Sequence, residues 1–121
     1  MKRLVVASAL CMSLLFSTSW LFAGSPDCAH VEGWPSSMAF TYLKNAGLVN
    51  NVVLDFTKTT IKRLASEKIG KDLYRQVHLV RFYKKTGEQV AVITVNDASH
   101  DECSMSDVDV YVVTKQLGAP R

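Results

Sequence analysis

The sequence lacks the short motifs that identify catalytic or cofactor-binding sites before a structure is known. It contains no G-x-S-x-G nucleophile elbow, no glycine-rich phosphate-binding loop, no H-E-x-x-H helix and no C-x-x-C pair. These absences exclude the enzymes and zinc or thiol-redox proteins that carry such signatures. We therefore predict no cofactor and no metal, and we favour a non-enzymatic role while leaving catalysis open.

The sequence also has little excess of charge of one sign. Its formal net charge is +3, from 14 basic and 11 acidic residues, and two of the basic residues, Lys2 and Arg3, lie at the extreme N-terminus. A protein that binds the phosphate backbone of nucleic acids needs a strong positive field. The remaining chain is nearly neutral, so nucleic acid is a poor candidate partner.

The N-terminal segment has the features of an export signal. Lys2 and Arg3 precede residues 4–22, which carry no charge, and the small residue Ala23 follows. We predict cleavage after Ala23. An uncleaved anchor is the alternative, because an uncharged run of about 20 residues can just cross a bilayer. Residues 24–121 show no repeat or linker and predict one exported domain, periplasmic or secreted, with no stable membrane anchor.

Cysteine is scarce, and this simplifies the prediction of disulfides. Cys11 belongs to the predicted export signal, which leaves Cys28 and Cys103 in the mature chain. In an exported domain of this size, such an even pair predicts one disulfide. The bond would close a loop over most of the mature chain, and loop-entropy models assign roughly 4 kcal/mol of stability to such a closure.

The region around the first of these cysteines predicts an irregular arm followed by a helix. Residues 25–37 contain two prolines and a glycine, which disfavour regular structure. Ser36 or Ser37 is a suitable N-cap for a helix that Gly47 would end. Because residues 38–46 are apolar or aromatic around most of the helix, we expect it to be buried and wrapped by an element with a large hydrophobic face.

Residues 77–95 predict a β-hairpin, because two runs rich in Val, Ile, Phe and Tyr flank a turn signal at residues 85–88. With the loop centred on Thr86 and Gly87, the residues that share the core face are Val80, Phe82, Ala91, Ile93 and Val95. The residues on the other face are then Leu79, Arg81, Tyr83, Val90, Val92 and Thr94. A bulge at Gly87 would exchange the faces of one strand.

Three further segments complete the predicted sheet. Residues 107–115 alternate as a half-buried antiparallel strand does, and residues 51–56 predict a shorter strand. Residues 57–64 are favoured as a strand because several of them are β-branched, with a helix over residues 57–69 as the alternative. The valines on the apolar face of the last strand are Val108, Val110 and Val112.

Together these elements predict an α+β fold. One buried N-terminal helix packs on a roughly four-stranded antiparallel sheet, and the disulfide ties the arm to the loop before the last strand. This outline resembles a cystatin-like or NTF2-like wrap in the order of its elements. The resemblance carries none of the motifs of either family, so it implies no functional residue.

The densest polar stretch, residues 96–109, is predicted to be a stapled turn and not a metal site. A calcium loop needs regularly spaced oxygen ligands around a glycine turn, and zinc needs several His or Cys ligands. This stretch has no glycine, and His100 is its only histidine. Its Asn, Asp and Ser residues favour turns, and Cys103 would hold the loop in place. The candidate partner-contacting residues on this loop are His100, Asp101 and Glu102.

A small polar pocket is the second candidate site, formed by Tyr74, Arg75, His78 and Arg81. A histidine in an otherwise apolar strand is either satisfied in the core or used by a ligand, and we favour the core for His78.

Charge is segregated along the chain. Residues 58–85 are mostly basic and residues 86–121 mostly acidic, which favours mutual neutralisation across neighbouring strands. The alternative is a basic patch able to meet an acidic partner, formed by Arg63, Lys68, Lys71, Arg75 and Arg81.

These features predict a small exported binding protein that acts through a macromolecular partner, such as an inhibitor or an immunity-type protein for a toxin or envelope hydrolase. The alternative is a small-ligand-binding or enzymatic pocket protein of the envelope that uses Tyr74 and His78. A structural or stress-related envelope factor without a specific ligand is the third hypothesis.

Overall fold

The computed structural model describes residues 24–115 and 117–118. In this part of the chain one α-helix, α1 (Trp34–Asn45), precedes four strands. The strands are β1 (Thr60–Gly70), β2 (Leu73–Tyr83), β3 (Gln89–Ala98) and β4 (Asp109–Val113). They form one antiparallel sheet in the order β1-β2-β3-β4, with α1 across one face. The predicted α+β fold, one helix on a four-stranded antiparallel sheet, is confirmed. The predicted export signal and its cleavage site lie outside the described residues.

The predicted disulfide is present. Cys28 and Cys103 are joined across 75 positions of sequence, with their Cα atoms 5.7 Å apart. The bond ties the N-terminal arm, defined as residues 24–33, to the loop that precedes β4. The side-chain amide of Gln76 on β2 donates to the Pro26 carbonyl over 2.8 Å. The arm therefore lies against the sheet, held at its middle by a covalent bond.

α1 begins without a side-chain cap, so the prediction that Ser36 or Ser37 caps it is wrong. Gly33 is the N-cap residue, and Pro35 lies in the first turn, where its ring fixes a helical φ and its missing N–H costs nothing. Ser36 is buried inside that turn, and its hydroxyl donates to the carbonyl of His30 over 3.1 Å.

α1 ends where predicted but is less buried than predicted. The helix ends at Asn45, and Gly47 then adopts a φ of 75°, a left-handed conformation that favours glycine. Ala39 and Leu43 are buried, whereas Tyr42 is 44% exposed. The sheet supplies the expected hydrophobic face through Val80, Phe82 and Val92, but it does not wrap the helix, whose Tyr42 side stays open.

β1 confirms the favoured strand from Thr60 onward and extends it to Gly70, but Thr57 and Lys58 belong to the 3-10 helix and not to the strand. The chain is extended over Thr60–Gly70, so the helical alternative for this region is wrong. Two register shifts interrupt its pairing with β2. Such irregularities displace side chains from strict alternation, which explains why the pattern of this segment was ambiguous.

The strand predicted at residues 51–56 is wrong. This segment forms turns and makes one isolated β-bridge, between Leu54 and Lys84. The side-chain oxygen of Asn50 accepts the N–H groups of the second and third residues after it, at 2.9 and 2.8 Å. These local bonds hold the chain in a turn and compete with strand pairing.

The β2–β3 hairpin is present, but its pairing is displaced by one residue from the one centred on Thr86 and Gly87. Tyr83 pairs with Gln89, and Gly87 adopts a φ of 94° in the loop between them. The faces of β3 are therefore exchanged, which was the alternative for an irregularity at Gly87. The residues that share one face with Val80 and Phe82 of β2 are therefore Val90, Val92 and Thr94 of β3.

β4 confirms the predicted alternation over a shorter length. Val110 pairs with Thr94 and Val112 with Val92, so both valines lie on the face beneath α1. Val108 is buried just before the strand begins.

The sheet has a covered face and an open face. Within the described residues, α1, the arm and the short 3-10 helix Phe56–Lys58 all lie on the covered face. Phe40 of α1 contacts both the 3-10 helix and β2, because its ring centroid lies 5.1 Å from that of Phe56 and 6.4 Å from that of Phe82. The opposite side of the sheet, the open face, carries Leu79, Ile93 and their neighbours of the same parity.

The covered face is divided into two halves. In the apolar half, α1 packs on the sheet. Its buried residues are Ala39 and Leu43 of α1, Val49 and Leu54 of the segment that follows, and Val80, Phe82 and Val92 of the sheet. The polar half lies beneath the arm, where Gln76 pairs with Asn96 and His78 pairs with Thr94 across β2 and β3. All four of these polar residues are buried.

Candidate functional site

The structure separates the residues of the predicted polar pocket. Alternate residues of a strand point to opposite faces, and β2 carries all four residues. Tyr74 and His78 therefore share the covered face, and Arg75 and Arg81 share the open face. The four side chains do not converge on one cavity.

His78 is sealed in the polar half of the covered face. Its exposed fraction is 0%, and neither ring nitrogen has a hydrogen-bond partner among the described residues. Burial lowers the pKa of His78 to about 4, assisted by the positive charge of Arg63 and opposed by Asp27. The imidazole is therefore neutral near pH 7, and a ligand reaches it only if the arm moves.

His100 forms a clasp between three distant parts of the chain. Its Nδ1 contacts the carboxylate of Asp72 in the β1–β2 turn, its Nε2 lies 2.7 Å from the Gly24 carbonyl, and its backbone N–H donates to Asp72 over 3.0 Å. The ring of Tyr74 packs against it edge-on, with centroids 5.3 Å apart. Both ring nitrogens face acceptors, so the charged imidazolium is the form that satisfies them.

The electrostatics of the clasp follow from these contacts. The Gly24 carbonyl, then the Asp72 carboxylate, raise the pKa of His100. The hydrogen bonds from His100 lower the pKa of Asp72. The two histidines of the candidate sites thus differ in character, since His78 is held neutral by burial and His100 is stabilised as a cation.

The polar stretch at residues 96–109 forms a tight turn beside the disulfide. The Ser99 hydroxyl accepts the backbone N–H groups of Asp101 and Glu102 at 3.3 and 3.1 Å, and the Ser99 N–H donates to the Glu102 carbonyl over 2.7 Å. Asp101 and Glu102 are exposed at its tip. Among the residues that the structure describes, no group of three His, Cys, Asp or Glu side chains is placed to hold a metal ion.

The predicted basic patch is divided between the two faces. Arg63 lies on the covered face and donates to the Pro26 carbonyl over 3.2 Å. Arg75 lies on the open face and pairs with Asp97 of β3, with Nε and Oδ1 3.0 Å apart. Part of the basic block is therefore neutralised across neighbouring strands, as one of the two interpretations expected.

An apolar groove lies between α1 and β4, and sequence reasoning missed it. It has a volume of about 400 Å³. Tyr42, Ala46 and Leu48 line one wall, and Val108, Val110 and Val112 line the other. The signal that would have indicated it is the run after Asp109, which continues without a charged residue to the end of β4.

The two edges of the sheet differ in how they are protected. β1 is interrupted by two register shifts and carries Lys62, Arg63, Glu67 and Lys68. Both devices discourage pairing with another strand. β4 pairs with β3 without interruption, and its Tyr111 and Val112 are 57% and 44% exposed. Within the described residues nothing pairs with the outer edge of β4.

Comparison of this chain with protein-family models, with curated proteins and with solved structures finds no match. No helix in the described part of the chain is long and apolar enough to cross a membrane.

Proposed function

We propose that the protein is an exported binding protein and that its partner is another protein, which adds an extended segment to the free edge of β4. The single observation that carries this proposal is the β4 edge beside the apolar groove, which has no register shift and no charged residue from Val110 to Val113. In natural proteins, charged residues or irregular pairing usually prevent the exposed edge strand of a sheet from pairing with another chain. The contrast with β1 within the same sheet supports a use for β4.

The groove and the edge act together in this proposal. A strand that joins β4 gains main-chain hydrogen bonds, which give affinity to any extended sequence. Every second side chain of that strand points towards the covered face, where the groove beside Val110 and Val112 accepts an apolar group. An apolar anchor at alternate positions is therefore the chemistry that we expect in the partner.

The rigid frame of the protein favours a role as an inhibitor or an immunity-type protein. The disulfide and the His100 clasp fix the loop that leads into β4. Preorganisation of a binding surface reduces the entropy lost on association. A toxin or an envelope hydrolase with an exposed extended segment would be a suitable target.

Location outside the cytoplasm is part of the proposal. Disulfides persist in oxidising compartments, so the Cys28–Cys103 bond supports export to the periplasm or beyond, and cleavage of the signal after Ala23 is proposed with it. We also propose that the arrangement of one helix followed by four antiparallel strands is a cystatin-like or NTF2-like wrap.

A small-ligand or enzymatic role through Tyr74 and His78 receives less support from the geometry. Tyr74 packs against His100, and His78 has no exposed surface. Catalysis by an acid or base requires hydrogen-bond contact with the reacting group, which a sealed imidazole cannot make while the arm is in place.

The test compares the two edges of the sheet. Val112→Lys places a charge on the β4 edge beside the groove, and Leu64→Lys makes the matched change on β1, where Leu64 is 48% exposed. Disulfide-bonded protein covering residues 24–121, in wild-type and variant form, is immobilised and exposed to an envelope extract of the source organism. Binding of each captured protein is then titrated with the purified partner.

The proposal expects a saturable partner that binds the wild type and Leu64→Lys and binds Val112→Lys at least roughly 10-fold more weakly, a loss of about 1.4 kcal/mol. A partner that binds all three forms equally contradicts the use of β4. The absence of any saturable protein partner contradicts the proposed function itself.

A further inference from the structure

The open face of the sheet has an apolar centre with charged residues around it. The apolar residues at its centre are Val77, Leu79, Ala91, Ile93 and Val95, together with Tyr111 of β4. Each is at least partly exposed, and α1 packs on the opposite side of the sheet, against Val80, Phe82 and Val92. Two-layer packing is the usual way in which a sheet buries such a face.

The open face has a basic half, formed by β1 and β2, and an acidic half, formed by β3 and β4. The half formed by β1 and β2 carries Lys62, Arg75 and Arg81 against one acidic residue, Glu67, and since Arg75 pairs with Asp97 of the same copy, the basic charge offered to a partner comes from Lys62 and Arg81. The half formed by β3 and β4 carries Asp97 and Asp109, with Asp107 beside them at the same cleft. No Lys or Arg occurs within β3 or β4.

We propose that the open face is the interface of a homodimer, in which a two-fold axis roughly parallel to the strands lays the basic half of one copy on the acidic half of the other. A rotation about such an axis places β1 and β2 of one copy over β4 and β3 of its partner. The face is then complementary to itself, as a two-fold interface requires. Its apolar centres meet in the manner of an aligned β-sandwich.

The size of the face is adequate for a stable dimer. Three strands of about 35 Å and β4 of about 17 Å, at about 4.8 Å spacing, give a surface on the order of 600 Å² per copy. Stable interfaces bury about 600–1,000 Å² per partner. Both edges and the α1–β4 groove remain outside this interface, so the dimer is independent of the proposed function and would present two partner sites.

The first measurement is the mass of the disulfide-bonded protein covering residues 24–121 by sedimentation velocity over a wide concentration range. A concentration-dependent dimer is expected. Ile93→Arg places a charge at the apolar centre and should raise the dimer dissociation constant by roughly 100-fold or more. Val112→Lys, on the β4 edge, should leave it unchanged. Urea denaturation of each variant verifies that it folds.

The second measurement tests the complementary halves. Lys62→Glu with Arg81→Glu makes both halves acidic, and Asp107→Lys with Asp109→Lys makes both halves basic. Each double variant should be monomeric alone, and an equimolar mixture should dimerise again. Lys44→Glu with Lys71→Glu, which makes the same change in net charge away from the open face, should dimerise as the wild type does.

The outcomes separate the possible occupants of the face. A monomer at every concentration shows that a second copy does not cover the face and overturns the inference. A dimer lost in Val112→Lys and retained in Ile93→Arg is joined edge to edge, which also overturns it. Failure of the mixed variants to associate overturns the two-fold arrangement.

Discussion

The apolar half of the covered face and the polar half differ in what holds their cover in place. In the apolar half, α1 is held by interdigitated side chains such as Leu43 and Phe82. In the polar half, the cover is an arm without secondary structure, held by the disulfide, by the Gln76 bond to Pro26 and by the His100 clasp. Hydrophobic burial stabilises the first half, whereas crosslinks and polar contacts stabilise the second.

The polar half also contains buried atoms without partners. His78 has two such nitrogens, and Thr94 has one such oxygen, among the described residues. A buried polar atom without a partner costs roughly 1–3 kcal/mol. The difference between the halves therefore predicts that similar substitutions have opposite effects in the two places.

Removal of the disulfide should have the largest effect. Replacement of Cys28 and Cys103 by serine should lower the free energy of unfolding by about 4 kcal/mol, because the unfolded chain regains the entropy of a loop that spans 75 positions. Urea denaturation measures the loss. Hydrogen exchange should quicken in the arm and remain slow in α1, and equal acceleration in both would contradict the distinction between the halves.

Truncation in the apolar half should come next. Leu43→Ala should cost about 3 kcal/mol, because it removes a buried side chain beneath α1 and leaves a cavity. Leu48→Ala is the matched control, since Leu48 is 49% exposed and should cost less than about 1 kcal/mol. Equal losses in urea denaturation would show that α1 does not depend on this packing.

Acid should weaken the polar half through His78. Its pKa is about 4 in the folded protein and 6.5 when unperturbed, so between these values the unfolded chain binds a proton that the folded protein does not. The free energy of unfolding should therefore fall by roughly 3 kcal/mol as the pH drops from above 6.5 to about 4.

His78→Leu isolates this effect, because a leucine cannot titrate. The difference in stability between the variant and the wild type should change across this pH window, and a difference that is constant with pH would rule out burial of a neutral His78.

The His100 clasp has the opposite pH dependence. Because the pKa of His100 is raised in the folded protein, the stability that the clasp contributes is lost as the pH rises through that pKa.

Two opposite substitutions on β3, one in each half, should change the free energy of unfolding in opposite directions. Thr94→Val removes a buried hydroxyl that lacks a partner and should raise the free energy of unfolding by about 1 kcal/mol. Val92→Thr adds such a hydroxyl to the apolar half, on the same face two residues away, and should lower it by about 1–3 kcal/mol. Destabilisation by both substitutions would mean that the two halves do not differ.

The clasp should give the smallest change in global stability. Asp72→Asn removes the carboxylate beside His100, so the pKa of His100 should fall, as measured by NMR titration of the ring. The Gly24 end of the arm should exchange its amides faster. An unchanged pKa would show that the Asp72 contact is not formed in solution.

Features set by local chemistry were predicted well. Gly47 ends α1 because glycine tolerates a left-handed φ, and the alternation of β4 follows from having one face towards α1 and the other towards solvent. The Cys28–Cys103 pair was predicted because it is the one pairing that an exported chain with two cysteines allows. Each of these depends on a few residues close together or on simple counting.

Features that depend on register were predicted poorly. The loop at Gly87 displaces the hairpin by one residue, and because side chains alternate, this small displacement exchanges every residue of β3 between faces. The same alternation separated Tyr74 and His78 from Arg75 and Arg81. The hairpin had been predicted to begin at Val77, so Tyr74 and Arg75 had no assigned face, although Arg81 had already been placed on the face opposite Val80 and Phe82.

The sequence by itself determined the α+β class, the single crosslink and the identity of the last strand, because these follow from composition, apolar periodicity and the reactivity of paired cysteines. Only the tertiary structure decided which residues meet beneath the arm, which edge of the sheet is left free and which face is left open. These depend on register shifts and on distant segments brought together in space, and a pattern of neighbouring residues carries no information about either.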